Sequence, residues 1–396
     1  MTHTTDFIEA HRDEFIRYSH DIHAHPEIGN EEYYASDVLT TILKSHDFTV
    51  ERNISGYETG FIASYKSDKD GPTIGYLAEY DALPGLGHAC GHNIIGVTSV
   101  LAAINLKQHI DSIGGSVIVY GTPAEEGGPN GSAKAKYADD GLFNRADVAL
   151  MAHPGHEHSL TQPTLAVDVF DVFFHGKSQH AANPSIDGQS ALDAMIQFYN
   201  GISLLRQHTA PNDLIHGVIL NGGDAANIIP EKTHARFYTR SRKRTTLNAL
   251  TDRVKEIAKG AALATNTSVK FEFIQNGVNE FIRTPQLDAL YKEAANTFGI
   301  TIDDVEERYG STDTGNVSHI IPTIHPHIKI GPSTLVGHTD EFREAAISQE
   351  GDQGLINGAK ILSKVGYRLI QDADLLNRIK SEHEVALKGA HDESNE

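Results

Sequence analysis

The sequence predicts an α/β fold: an open, mostly parallel mixed sheet with helices on both faces, interrupted by a smaller α+β insert. Three observations carry this reading. Short apolar runs that break at Gly or Pro alternate with helical patterns through the first 150 or so residues, which implies a parallel sheet. The texture changes near Thr164, where a strand of partly alternating polarity begins. From about Gly277 the first texture returns.

Phe7 to His25 carries apolar residues at helical spacing and stops at His25-Pro26, and a second helix is expected from about Glu32 to Ser45. Thr73-Ile-Gly-Tyr-Leu-Ala-Glu-Tyr reads as a strand ending at the loop signal Asp81-Ala-Leu-Pro-Gly. Ile94–Ile110 is helical, and Ser116-Val-Ile-Val-Tyr-Gly-Thr and Val148-Ala-Leu-Met-Ala are buried-strand patterns. The insert reads as strand Leu165–Phe174, helix Gln189–Gln207, strands His216–Leu220 and Thr233–Arg240, helix Thr245–Leu263 and strand Ser268–Ile274. That order is β-α-β-β-α-β, the ferredoxin-like unit. A strand near Ile328-Lys-Ile and a helix from about Glu350 to Gln371 complete the first domain. The tail beyond Asp374 is charged and is expected to be a solvated, fraying helix. The expected organisation is a first domain over residues 1–164, an insert over 165–277, and the first domain resumed over 278–396.

A length of 396 residues suits two to three domains at roughly 150 residues each. The net charge of −20 disfavours nucleic acid and anionic membrane surfaces as partners. Apolar residues at 39% suffice for a packed core. Neither a signal peptide nor a run of the ~20 apolar residues that span a bilayer is read. The single cysteine, Cys90, excludes an internal disulfide framework and fits a reducing, cytoplasmic compartment.

Four motifs fall at expected strand ends and loops, where open α/β sheets place their active sites. His88-Ala-Cys-Gly-His-Asn93 sets a thiol and an imidazole, both transition-metal ligands, two positions apart at a helix start. Pro123-Ala-Glu-Glu-Gly-Gly128 sets two carboxylates side by side, which a buried site tolerates with a cation to offset them. Met151-Ala-His-Pro-Gly155 puts His153 at the mouth of a buried strand, and Gly337-His-Thr-Asp-Glu-Phe342 presents His338. His156 and His158 follow in a polar loop and are expected to be exposed. Singly, each motif has a bland reading: a structural cysteine, an acidic surface turn, a satisfied loop histidine. Together, Cys90, His92, Glu125 or Glu126, His153 and His338 are five candidate ligands at the ends of separate elements. Two divalent ions sharing a water use about that many protein ligands, generate hydroxide near neutral pH and polarise a carbonyl. The reaction that suits them is amide hydrolysis.

With Tyr80-Asp-Ala-Leu-Pro, Gly87-His-Ala-Cys-Gly-His-Asn, Pro123-Ala-Glu-Glu-Gly-Gly, Met151-Ala-His-Pro, Gly310-Ser-Thr-Asp-Thr-Gly-Asn-Val-Ser and the opening His25-Pro-Glu-Ile-Gly-Asn-Glu-Glu, the chain resembles the dinuclear metallopeptidases of family M20 over nearly its whole length. Within that family it is similar to the amidohydrolases that include aminoacylases, auxin-conjugate hydrolases and p-aminobenzoyl-glutamate hydrolases. The resemblance implies that Cys90, His92, Glu126, His153 and His338 hold two divalent ions per subunit and that Glu125 is the general base. Asp81, or Glu79 in its place, would orient a ligand. His180 would stabilise the oxyanion in the partner subunit of a homodimer formed through the insert. Asn227 and Arg240 match positions at the substrate's carboxylate end, and Asp313 would line the pocket or the metal periphery. Asn93 stands where many subfamily members carry Asp, a departure shared with the p-aminobenzoyl-glutamate and β-alanyl-dipeptide hydrolase-like branch, and it leaves the acyl group open. Resemblance to bacterial aminoacylases points to manganese, while the thiolate also suits zinc.

The expected activity is therefore hydrolysis of N-acyl amino acids or small dipeptide-like amides, with a dipeptidase or a p-aminobenzoyl-glutamate hydrolase as the alternative. Two other classes predict different behaviour. In one, Cys90 is a nucleophile activated by His92 or His88, and a chelator spares activity. In the other, the chain is a non-catalytic binder and should lack a ligand or the base.

Overall fold

The computed structural model describes residues 3–182 and 188–392. They form two compact units: one draws on both ends of the chain, up to Thr164 and from Phe281 onward, and the other is Leu165–Glu280. The first unit begins with helices α1 (Asp6–Ala10), α2 (Arg12–Ala24) and α3 (Tyr33–Ser45) and strands β1 (Thr49–Ile54), β2 (Tyr57–Lys66) and β3 (Thr73–Ala78). It continues through α4 (His92–Ile113), β4 (Ser116–Gly121), α5 (Ala133–Asp139), β5 (Val148–Leu150) and β6 (His153–Gly155). The second unit supplies β7 (Ala166–His175), β8 (Gln179–His180), α6 (Ala191–Leu205), β9 (Leu214–Asn221), β10 (Ile228–Ile229), β11 (Lys232–Ser241), α7 (Arg244–Ala264) and β12 (Ser268–Phe273). The first unit then resumes with α8 (Pro285–Thr297), α9 (Thr314–Ser318), β13 (Thr323–Ile324), β14 (His327–Lys329), α10 (Asp340–Ala345), α11 (Gln349–Gln371) and α12 (Ala373–Asp392).

The main sheet has the order β1-β2-β4-β3-β5-β13. The β4–β3, β3–β5 and β5–β13 pairs are parallel, whereas β1–β2 and β2–β4 are antiparallel. Its strands split their side chains between two cores, as the two-residue period of a strand requires. Ile74, Tyr76, Val117, Val119, Val148 and Leu150 enter the core that α2, α3, α4, α8 and α11 cover. Leu77, Ile118, Tyr120 and Ala149 enter the opposite core, beneath α5 and α9. Helix α4 is buried from His92 through Leu106, which accounts for its apolar residues all round.

Three features depart from the sequence expectations. The β1–β2 hairpin is not foreshadowed, because β1 is largely exposed and carries no apolar pattern. The predicted helix from Phe7 breaks at His11. The tail is no solvated helix: Leu376 and Ile379 of α12 are buried, and the His383 ring donates to the Ser318 carbonyl over 2.6 Å.

The second unit runs β-α-β-β-α-β around a four-stranded antiparallel sheet of order β12-β7-β11-β9. Phe170, Phe174, Phe198 and Phe237 anchor its core beneath α6 and α7. The unit extends past residue 277, because Val278 pairs with Val167 and Glu280 accepts the Arg244 backbone N–H over 2.8 Å.

One buried carboxyl tests the packing of the first unit. Asp288 of α8 accepts from the Thr161 hydroxyl over 2.7 Å, and burial raises its pKa to about 6. An unfolded carboxyl loses its proton near pH ~4, so the folded state binds that proton more tightly. Stability therefore falls as pH rises from there to 6, by about 1.4 kcal/mol per pH unit, and the penalty stays constant above. Asp288→Asn keeps the acceptor and removes the penalty. With EDTA present throughout, the variant should match wild type near pH 4 and become more stable, on the order of 3 kcal/mol, by pH 7. A gap between their melting temperatures that does not widen with pH would disprove this account.

Candidate metal centre

The carboxyl ends of the parallel strands converge, and each delivers polar side chains to one place. Glu79 and Asp81 follow β3, Glu125 and Glu126 follow β4, His153 opens β6 just beyond β5, and His325 follows β13. Cys90 and His92 join them at the start of α4. Gly91 between them has φ +78°, a left-handed turn that a residue bearing a Cβ adopts only at a cost. His338 arrives from the loop before α10, also left-handed at φ 63°, with its N–H donating to the Ala89 carbonyl over 2.9 Å.

Three triads of ligand atoms result, Cys90–His92–His153, Cys90–Glu126–His338 and Glu79–His92–Glu125; Cys90 belongs to the first two and Glu125 to the third alone. Within each, the ligand atoms lie within 4.8 Å of one another. The Cys90 sulfur is 3.5 Å from His153 Nε2. Glu126 lies between the two histidines, with Oε1 3.8 Å from His92 Nε2 and Oε2 3.7 Å from His338 Nε2. The ring orientations suit ligation. His92 Nδ1 donates to Asp81 Oδ1 over 2.9 Å and His153 Nδ1 to the Pro154 carbonyl over 2.7 Å, so in each ring Nδ1 is occupied and Nε2 is the nitrogen left to face a metal ion. Asp81 also accepts the Glu126 N–H over 2.9 Å, so one carboxylate fixes a histidine and the acidic turn together.

Divalent metal fits these residues on two counts. His92 Nε2 and Glu126 Oε1 are buried without a hydrogen-bond partner, a costly state that coordination relieves. Four carboxylates, Glu79, Asp81, Glu125 and Glu126, also surround them and need positive charge nearby. Burial pulls His153 down to about 4, keeping it a neutral ligand. Burial and then Glu126 push the Cys90 thiol up, so a cation is what would make it a thiolate.

Glu125 lies outside the two triads that share Cys90, its Oε2 3.9 Å from His92 Nε2. Burial, reinforced by Glu79, Asp313 and Glu126, raises its pKa well above the ordinary carboxyl range. Together with Cys90, Glu126 and His153 it lines a cavity of about 380 Å³, room for a small substrate.

Several neighbours have no signal in the sequence. Lys134 is fully buried, its Nζ 2.7 Å from Glu79 Oε1 and 2.5 Å from Asp313 Oδ1. Burial opposes its charge, but Asp313 and Glu79 outweigh it and hold the ammonium protonated. Asp313, expected at the pocket or the metal periphery, is turned to Lys134 and is not among the cavity-lining residues; it lies at the periphery, close enough to Glu125 to raise that carboxyl's pKa. Glu79, the second choice for orienting a ligand, faces His92 Nε2 at 3.5 Å while it holds Lys134. His325 and His327 do line the cavity, kept neutral by burial and by His153. Their His-Pro-His spacing is the one cue that could have flagged them. His156 and His158 are partly buried rather than exposed.

The other three expected residues lie on the second unit. His180 and Asn227 share a small ribbon, in which β8 pairs with β10 and the Ala181 N–H donates to the Asn227 carbonyl over 2.9 Å. His180 is exposed, and its Nδ1 accepts the Ala182 N–H over 3.1 Å. His180 belongs to the segment His175-Gly-Lys-Ser-Gln-His-Ala-Ala-Asn-Pro, of which Asn183 and Pro184 lie outside the described residues. Arg240 sits on β11 with its guanidinium 5.7 Å from the centre of the Tyr238 ring.

Chemistry of this kind is that of a metal-dependent amidohydrolase. The chain belongs to peptidase family M20/M25/M40, whose sequence profile matches residues 75–365. It is 36% identical over 380 residues to the mouse Xaa-Arg dipeptidase, covering 92% of this chain and 87% of that one. It is 34% identical over 315 residues to a p-aminobenzoyl-glutamate hydrolase subunit of Escherichia coli, covering 74% and 64%. Among solved structures, an aminobenzoyl-glutamate utilization protein of Klebsiella pneumoniae superposes with a TM-score of 0.76 at 17% identity, covering 93% of this chain and 99% of that one. A dinuclear metal-binding M20 peptidase of Bacillus subtilis superposes with a TM-score of 0.66 at 20% identity, covering 92% and 99%. Family membership sets aside both Cys90 as a nucleophile and the non-catalytic binder. Among the described residues no helix is long and apolar enough to cross a membrane.

Proposed function

We propose that this amidohydrolase uses two divalent ions to cleave dipeptide-like amides whose leaving half is an amino acid with a free carboxylate. The observation that carries the proposal is the pair of ligand triads sharing Cys90, with Glu125 outside both and next to them in the third triad, with Glu79 and His92. Dipeptides are favoured over p-aminobenzoyl-glutamate because the dipeptidase relative matches more of both chains; simple N-acyl amino acids share the same scissile bond. Manganese is the proposed metal, with zinc the other ion this mixed thiol, imidazole and carboxylate set accepts.

Ions held there would lower the pKa of a water and polarise the scissile carbonyl. The chain's own residues do the rest. Glu125 takes the proton of the attacking water and passes it to the leaving nitrogen. His180, with Nδ1 occupied by a backbone N–H, carries its proton on Nε2 and donates it to the oxyanion of the partner's site. Arg240 and Asn227 hold the substrate carboxylate. The ferredoxin-like insert is the proposed dimerisation unit: β9 is an edge strand, and its Leu214, Val218 and Leu220 are exposed. An unpaired edge carrying apolar side chains invites pairing with a second copy. A single cysteine committed to the site favours a reducing, cytoplasmic setting.

The decisive measurement is metal per chain after reconstitution with manganese or zinc, read by mass spectrometry. About two equivalents are expected, with activity abolished by a chelator and restored by the ion. Fewer than two under both conditions would overturn the two-metal reading.

A further inference from the structure

The opening motif His25–Glu32 contributes no residue to the cavity wall, yet it grips the loop that carries Glu125 and Glu126. Glu32 is completely buried. Its Oε1 accepts the Ala124 N–H over 2.9 Å, and its Oε2 accepts the Thr59 hydroxyl over 2.8 Å. Ala124 is left-handed at φ 59°, a conformation that a residue with a Cβ keeps only where its surroundings impose it. The same motif closes on this loop at two more points. A Cβ on Gly29 would come within 2.9 Å of Ala124 Cβ and 3.0 Å of its Cα, so only glycine leaves Ala124 this space. Asn30 donates from Nδ2 to the Pro129 carbonyl over 2.8 Å, on the far side of the acidic pair.

The left-handed residue immediately precedes the turn at Glu125 and Glu126 that follows β4. It leaves the Glu126 N–H on Asp81 and the Glu126 carboxylate between His92 and His338, with Glu125 beside them. A buried carboxylate outside the cavity wall thus has one visible task in the site, which is to hold the residue just before both glutamates.

We infer that Glu32 is a positioning residue for the reaction: it clamps Ala124 in the left-handed conformation that aims Glu125 and Glu126 into the metal centre. This rests on the two-metal reading above. Misplacing catalytic groups by about 1 Å can cost on the order of a hundredfold in rate, so a loss of ten- to a hundredfold in kcat is expected for Glu32→Ala, with KM within about twofold of wild type. Titration of the metal-free variant with Mn²⁺ should show one of the two ions bound at least tenfold more weakly. Glu32→Gln keeps an acceptor for the Ala124 N–H, while the Thr59 hydroxyl can turn to accept from the amide, so this variant should recover most of both losses. Glycine adopts the left-handed region freely, so adding Ala124→Gly to Glu32→Ala should restore part of kcat, which a merely destabilised fold would not do.

If Glu32→Ala fails to fold, Gly29→Ala takes its place. It presses on Ala124 without removing a buried hydrogen-bond acceptor and should lower kcat and weaken the same ion. Unchanged kcat and Mn²⁺ binding in whichever of these variants folds, or a loss that Glu32→Gln and Ala124→Gly both leave uncorrected, would overturn the assignment. Wild type is titrated alongside: two ions in wild type with no change in the variants sinks the role of Glu32 alone, whereas fewer than two in wild type sinks the two-metal reading instead.

Discussion

Glu125→Gln should bind two metal ions as wild type does and lose about a thousandfold in kcat. A positioned general base contributes roughly 10²–10⁴-fold, and a thousandfold is about 4 kcal/mol of transition-state stabilisation. Glutamine keeps the size of the side chain but accepts no proton at neutral pH. The two triads that share Cys90 draw their carboxylate from Glu126, so the substitution leaves those ligands in place. The contrast is Glu126→Gln, which should weaken metal binding first and lose activity as a consequence. Measuring metal content and kcat on both variants separates base from ligand. A Glu125→Gln enzyme that turns over near the wild-type rate, or one that loses an ion, refutes the division of roles between the two glutamates.

His180→Ala should cost on the order of 10²–10³ in kcat, the usual loss when a single oxyanion donor is removed. The ring is exposed and its Nδ1 is engaged by the Ala182 N–H, which leaves Nε2–H as an outward-facing donor. KM should change little, because the donor matters most once the carbonyl oxygen becomes charged. Mixed dimers locate the residue. Pairing Glu125→Gln chains with His180→Ala chains places an intact Glu125 and an intact His180 in one composite site if the histidine acts across subunits, and activity should then exceed that of either parent. Verified mixed dimers with no recovery would put His180 in the site of its own chain.

The ligand motifs are legible because each is short and stands where a strand pattern breaks. Cys90 and His92 follow the Asp81-Ala-Leu-Pro loop, Glu125 and Glu126 follow the run ending at Thr122, and His153 follows Val148–Met151. A parallel sheet brings all its carboxyl ends to one edge, so residues far apart in the chain share a place for a reason visible in one dimension. Lys134 is not legible. A lysine at the start of a short helix reads as a solvated side chain, and its burial depends on Glu79, 55 positions away, and Asp313, 179 positions away. Nothing local marks a charge that only distant partners can offset. The orientation of Asp313 is not legible for the same reason: its motif is visible, but which way its carboxylate turns is set by Lys134. The β1 strand escapes notice because an exposed edge strand carries no apolar alternation, and α12 because its few buried residues are sparse within a charged stretch.

By itself, then, the sequence pointed to most of the alternating elements, the interruption by a second unit, and the candidate ligands Cys90, His92, Glu125 or Glu126, His153 and His338, since periodicity, chain breaks and residue chemistry are local properties. Only the tertiary structure decided that Cys90 belongs to two triads, that Asp81 rather than Glu79 holds His92 through Nδ1, and that Glu32 reaches across the chain to Ala124. Those facts depend on distances of a few ångströms between residues tens of positions apart, and packing alone fixes such distances.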